Sequence, residues 1–452
     1  MQLRPHVTLV STAMDLQAAV DATPAGGTLY LGDGTYTVPS GGLIISHSIA
    51  IEGVSQPSDF DTTYSNATRL RMGTVIRAYS ANAASQPIIV INPGAAYSGQ
   101  SQLSFKLKNV VLDGRATGYH AGSYGIYSLR EDGEKLETCE LDNVVVINTG
   151  DTGIHLARNV VDATTDSAIV GFYARRVFCH SCYGRGMYVY DATLASIRDS
   201  IFMLNRLTGL YLDGVGCDLS NVAAESNGSA QDGSLTVYEQ AQIYAVNCNH
   251  FSTIGHHVEN FDGATRSTAT YFSRIGIYVN ACMAVQIGSG FFYNTPYDGA
   301  PGGYNEGAPG NNWGGDLWRN YANNQDGTLS GGDESTNVAL KVFECRNFNI
   351  ATQRLLHCYN GITVVRAGAG PYYHYIPGAI ANPDVYDYSG YGCAKPMQGI
   401  SGTRLPAMDP TYAEALDPEP AGVIAETGGI MYWDTTNHRL RLWNGSAWST
   451  IT

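Results

Sequence analysis

The sequence predicts an all-β chain built as a parallel β-solenoid, with a short N-terminal capping helix and a small β module at the C-terminus. Three observations carry that reading. Period-2 alternation in short runs between Gly, Asn and Asp dominates from Thr28 onward, as in TLYLGDGTYTV and LIISHSIAIEGV. A seven-residue pattern then recurs: KNVVLDG from Lys108, DNVVVIN from Asp142, RRVFCHS from Arg175, RDSIFML from Arg198, SNVAAES from Ser220 and YAVNCNH from Tyr244, with starts 34, 33, 23, 22 and 24 residues apart. Each unit is followed by a strand that Gly introduces: GIYSL at Gly125, GIHLA at Gly153, GMYVY at Gly186, GLYLD at Gly209 and GHHVE at Gly255.

Taken in order, residues 1–27 form the cap. Ser11 to Ala22 has Ser11 or Thr12 as N-cap and apolar Met14, Leu16 and Val20 at helical spacing, so a short amphipathic helix covers the open end of the first coil. Residues 28–368 form the solenoid body, two strands to a coil. Stacking coils about 4.8 Å apart pairs the backbone and aligns like side chains. The expected inward column runs through Val110 and Leu112, Val144 and Val146, Val177 and Cys179, Val222 and Ala224, and Val246 and Cys248. Residues 291–337, rich in Gly and holding Trp313 and Trp318, read as an excursion from the wall, after which VALKVFECRNFNI resumes the pattern. Residues 369–427 are a Pro-, Tyr- and Gly-rich connection, and 428–452 read as a β-hairpin module too small to fold alone.

Composition narrows the function. Forty acidic against 26 basic residues give a net charge of -14, which removes the electrostatic drive for nucleic acid binding. No apolar run reaches the ~18 residues of a membrane span, and Met1 to Val20 lacks the apolar stretch of a signal peptide, so neither membrane insertion nor Sec-type export is expected. The nine Cys lie mostly among alternating apolar residues and read as reduced core residues. Cys179 and Cys182 have CxxC spacing without a second pair; no metal and no cofactor is assigned.

The opening helix, GGTLYLGDGTYTV from Gly26 and the NVxxxN...TGIxL coils together resemble the right-handed parallel β-helix family of pectate-lyase-like proteins, particularly its phage tailspike branch. GGIMYWDTTNHRLRLWNGSAWSTIT from Gly428 resembles a β-hairpin module at the ends of phage tail-fibre proteins. The resemblance implies a homotrimer in a virion appendage, beside other virion proteins, made in the host cytoplasm and released by lysis. Its implied ligand is a bacterial surface polysaccharide, capsule or O-antigen. It does not fix the chemistry, because one fold hosts many activities.

The outward positions of the Gly-introduced strands are Tyr127, His155, Tyr188, Tyr211 and His257, a column of flat faces with polar tips suited to sugar rings or to stacking within the sheet. Trp313 and Trp318 either close over sugar or anchor a subunit contact. Carboxylates follow two positions further on: Asp213 and Glu259, with Glu239 between them by register, are the candidate catalytic groups of a glycoside hydrolase, which pairs an acid with a base ~6.5 to 9.5 Å away in inverting enzymes. Glu225 and Asp113 are reserves. A polysaccharide lyase using His155 or His257, and a binder without turnover, are the alternatives.

Overall fold

The computed structural model describes residues 7–54, 73–80, 86–92, 102–128, 134–157, 169–228, 241–259, 275–293, 338–343, 345, 348–351, 353–356, 360–365, 395–399, 430–434, 439–443 and 448–451. The chain divides into two units, Met1–Asp232 and Gly233–Thr452. Each is a parallel β-helix of stacked coils, and each coil has three strands rather than the expected two.

In the first unit one column of strands runs through Val7–Val10, Gly27–Leu31, Ile49–Gly53, the first halves of Gln102–Asp113, Lys135–Ile147 and Ile169–His180, then Ala192–Arg198 and Gly216–Ser220, all paired in parallel. A second passes through Gly34–Thr37, Thr74–Arg77, the second halves of the three long strands, Ile201–Met203 and Ala223–Glu225. The third holds Leu43–Ile45, Ile89–Ile91, Ile126–Ser128, Ile154–Leu156, Met187–Tyr190 and Leu210–Asp213. The recurring NVV pattern marks the second column. The first was not separated from it by sequence because no Gly or Pro intervenes.

What intervenes is a single left-handed residue. Asn109, Asn143, Arg176, Asp199 and Asn221 occupy equivalent bends between the first and second columns, all with positive φ (57° at Asn143). Asn and Asp tolerate this region better than other side-chain-bearing residues. Asn143 also donates from Nδ2 to Oδ1 of Asn109 in the coil below, at 2.9 Å. Asn148, Ser181, Leu204 and Ser226 make the next bend, and Asp191 and Gly214 the one after the third column. The Asn at each end of NVVVIN is therefore a corner residue.

Inside, the expected columns form in the first unit: Val110, Val144 and Val177 are in register, as are Leu112, Val146 and Cys179, all fully buried. Cys182 is buried too, and burial pushes its thiol up to about 12. Its amide donates to Oδ1 of Asn205, whose own amide donates to Oδ1 of Asn227, a buried amide ladder at a turn. The CxxC pair is thus core, and no cluster fit to hold a metal occurs among the described residues.

The N-terminal helix spans Leu16–Ala22, with Leu16, Ala19 and Val20 buried. Its N-cap is Asp15, which accepts from Ala18 N, rather than Ser11 or Thr12, and Met14 is exposed. Gln17 turns its amide onto the outermost strand of the third column, accepting from Ile44 N at 2.8 Å and donating to Ile44 O at 3.0 Å. One side chain so stands in for a neighbouring strand at an otherwise open edge.

In the second unit, Ala241–Val246, Ile275–Asn280, Val338–Phe343, Asn360–Val365 and Lys395–Gly399 pair in parallel, which carries the coil stacking past the boundary expected at 368. His250–Ile254 pairs with Val285–Ile287 and then Phe348–Ile350, and His257–Glu259 with Gly290–Tyr293 and then Gln353–Leu356. Ala245, not Val246, takes the inward place with Val279 and Val342, while Val246 pairs with Asn280 on the other face. Cys248, Cys282 and Cys345 are buried, with Cys248 N donating to Cys282 Sγ at 3.4 Å. The last strands, Ile430–Asp434, Arg439–Trp443 and Trp448–Ile451, form a three-stranded antiparallel sheet, one strand more than a hairpin.

Candidate functional site

Four of the five expected aromatic positions come together in the third strand column of the first unit. Tyr127 pairs with His155, His155 with Tyr188 and Tyr188 with Tyr211 on successive coils. Alternation explains the placement: the flanking Ile126, Leu156, Met187, Val189, Leu210 and Leu212 are fully buried, so the residues between them face outward. Ring centroids are 5.4 Å apart for Tyr127 and His155, 5.1 Å for His155 and Tyr188, and 4.9 Å for Tyr188 and Tyr211, the last two edge to face. Four rings on consecutive coils span about 14 Å.

The column exists at this spacing because of the glycines that open its strands. A Cβ on Gly125 would lie 2.4 Å from Gly153 O, one on Gly153 2.6 Å from Gly186 O, and one on Gly186 2.5 Å from Gly209 O. Only hydrogen fits there. The residue before each glycine forms a neighbouring column through the same ladder, since Gly125, Gly153 and Gly186 donate to the carbonyls of Thr152, Arg185 and Thr208.

Two side chains that sequence reasoning missed enter from that column. Tyr124 stacks on Tyr127 at 4.8 Å and on His155 at 4.6 Å. Arg185 lies over Tyr211 at 4.8 Å and over Tyr188 at 5.5 Å. The available signal was positional: both immediately precede a column glycine, a place filled by buried Thr152 and Thr208 in the other coils. Tyr119 joins at the rim, with Arg206 5.7 Å from its ring.

Burial, and secondarily the Arg185 charge, lowers the His155 imidazole to about 4, so it is neutral at physiological pH. Its Nδ1 is buried, with no hydrogen-bond partner among the described residues. Burial also raises Tyr124, Tyr127 and Tyr188 above the usual phenol range, with the Asp151 charge adding to the effect on Tyr124 and the Asp213 charge on Tyr188. These phenols stay protonated near neutrality, so none serves as a phenolate base there.

The carboxylates fall out as follows. Asp213 pairs in register with Tyr190, one side chain beyond Tyr188 and Tyr211 on the outward face. Asp151 spends its carboxylate on local turns, accepting from Gly122 N at 3.0 Å and Thr152 N at 2.8 Å. The reserve Asp113 is fully buried against Arg77 at 3.3 Å and accepts from Arg115 N, a structural role. Glu225 ends the strand Ala223–Glu225 in the second column of the first unit.

His257 and Glu259 belong to the second unit, on a strand that pairs with Gly290–Tyr293 in a different sheet from that of Tyr127, His155, Tyr188 and Tyr211, and they contact each other, His257 Nε2 to Glu259 Oε2 at 2.8 Å. His257 pairs in register with Phe291, whose ring meets it edge-on at 5.1 Å. The alignment of Asp213 with Glu259 assumed a two-strand coil, and the three-strand coil removes that premise. Glu239, Trp313 and Trp318 lie outside the described residues.

Fold and site together define a parallel β-helix bearing an outward aromatic column with one cation laid across it. No family model and no curated protein matches the chain. Among solved structures it is similar to a pectate lyase (11% identity, TM-score 0.36, covering 85% of this chain and 79% of that one) and to tailspike protein 3 of bacteriophage CBA120 (10%, 0.31, 96% and 65%). It is similar also to the A-module of a mannuronan C-5 epimerase from Azotobacter vinelandii (11%, 0.29, 86% and 93%).

Proposed function

We propose that the chain is a phage tailspike-like protein that binds a bacterial surface polysaccharide along Tyr127, His155, Tyr188 and Tyr211. The observation that supports this is the ring column itself. Flat apolar faces repeat at the coil spacing, flanked by protonated phenols and a neutral imidazole, so an extended chain of sugar rings meets both the stacking faces and the hydroxyl partners it needs. The sequence resemblance to tailspikes supports the same ligand class, a place on the virion and a homotrimer. Hydrolysis is the proposed reaction, with Asp213 the catalytic carboxylate nearest the column. Binding without turnover is the second reading. It is favoured by the local fate of Asp151, whose carboxylate already accepts from two turn amides.

The test is a panel of purified capsular and O-antigen polysaccharides assayed for binding by interferometry, for new reducing ends and for absorbance at 232 nm. Tyr188→Ala and His155→Ala are expected to weaken binding about tenfold each, the worth of one stacked ring. Asp213→Asn is expected to abolish reducing-end formation and keep binding. Unchanged affinity in both aromatic variants overturns the site. Absorbance in place of reducing ends replaces hydrolysis by elimination. Binding with neither signal selects the second reading. Sedimentation at micromolar concentration giving only a species of about 48 kDa refutes the trimer.

A further inference from the structure

The second unit contains a polar column inside its core. His256, Gly290 and Gln353 occupy one place on three successive coils, because Gly290 pairs with Gln353 and the neighbouring His257 with Phe291. His256 and Gln353 are both buried. They nonetheless touch each other, His256 Nε2 to Gln353 Oε1 at 2.9 Å, across the coil between them. Two coil spacings amount to about 9.6 Å of backbone separation. Contact is possible because Gly290 leaves the gap empty: a Cβ there would lie 2.1 Å from His256 Nε2.

The remaining bonds fix the protons. Gln353 Nε2 donates to the carbonyls of Gly288 and Ala351, both at 2.8 Å, so its Oε1 is the acceptor that faces the imidazole. His256 therefore carries its proton on Nε2, and Nδ1 accepts from Thr253 Oγ1 at 3.3 Å. Every polar atom of the staple is used in the neutral state. The described strands of the second unit that pack on the imidazole present Gly290, Phe292 (ring centroids 5.2 Å apart) and Gln353, none of them charged. The titratable neighbour is His257, the next residue, itself held by Glu259. The carboxylate among these groups, Glu259, is engaged by His257, and protonation also removes the acceptor that Thr253 uses.

We propose that His256, Gly290 and Gln353 form an acid-sensitive latch, which locks three coils of the second unit in register at neutral pH and releases them when His256 takes up a proton. Burial lowers the His256 imidazole to about 4, against 6.5 for the exposed group, outweighing the hydrogen bond to Gln353, which raises it. With the folded value below the open one, stability is full above pH 6.5 and falls as pH drops from 6.5 towards 4. The opening equilibrium of these coils rises about seventyfold between pH 7.5 and 4.5 by linkage. The latch is independent of the aromatic column, and acts as a conformational response of the body to an acidic surface or compartment.

The test is amide hydrogen exchange of the full chain at pH 7.5 and 4.5, with rates corrected to the intrinsic exchange at each pH. Expected is a rise of about seventyfold in opening for peptides covering 250–259, 285–293 and 348–356, and a rise of less than about fivefold in His256→Gln. The same acid increase in His256→Gln overturns the latch, as does a wild-type increase below about fivefold. Should His256→Gln fail to fold, NMR titration of the wild-type imidazole decides: a midpoint below 5 supports the latch, and one near 6.5 refutes it.

Discussion

Replacing Gly153 by alanine tests how the aromatic column is spaced. The added Cβ would lie 2.6 Å from Gly186 O and 2.9 Å from Cys182 Sγ, both on the coil above. Backbone carbonyl oxygens do not yield as side-chain tips do, and relief to an ordinary contact near 3.4 Å requires the coils to part by about 0.8 Å. Two ladder bonds cross that gap, Gly153 N to Arg185 O at 2.9 Å and Ile154 N to Gly186 O at 3.0 Å. Parting them by that amount breaks both, at about 1 kcal/mol each, and overpacking adds about 1 to 3 kcal/mol. The expected cost is about 3 to 5 kcal/mol, read as a fall in the urea midpoint with unchanged slope. Because His155 lies two residues on, polysaccharide affinity falls with it. Gly118→Ala is the control, since its added Cβ meets nothing within 4 Å, and it is expected to stay within about 0.5 kcal/mol of wild type. A Gly153→Ala midpoint equal to the control refutes the claim that glycine sets the coil approach.

Two further substitutions and one titration test separate parts of the account. Asn143 sits at φ 57°, so Asn143→Ala is expected to be about 1 kcal/mol less stable than Asn143→Gly, although both lose the bond to Asn109; equal stabilities by chemical denaturation contradict the corner role. Gln17→Leu strips Ile44 of both edge partners and is expected to raise concentration-dependent light scattering with a loss of about 1 kcal/mol or less, whereas scattering equal to wild type shows that the edge needs no clip. For His155, neutral until pH approaches about 4, affinity is expected to hold from pH 8 to 5 and to fall below that, as a second cation forms beside Arg185; a midpoint near 6.5 in the binding profile contradicts its burial in the cluster.

Much of the fold was legible because the solenoid repeats its physics. Val110, Val144 and Val177 recur since every coil must bury the same face, and Asn109 and Asn143 recur since every coil must turn the same corner. Tyr127, His155, Tyr188 and Tyr211 were readable as one column for that reason, each standing two residues after a glycine. The chain-local signals failed where one strand passes into another without a break, as at Asn143 within Lys135–Ile147, and the third strand of each coil was lost there. That omission shifted the frame in the second unit, placing Val246 inward and aligning Glu259 with Asp213.

The sequence by itself determined the period, the inward apolar set, the Gly-led aromatic strands and the inert setting of the cysteines, all of which are properties of spacing along the chain. Tertiary structure alone decided that Tyr124 and Arg185 lie against the column, that Asp113 is buried with Arg77 and that His256 reaches Gln353 over Gly290. Those contacts join residues 26 to 97 positions apart across coils of unequal length. Only the stacking of backbones about 4.8 Å apart brings them within reach.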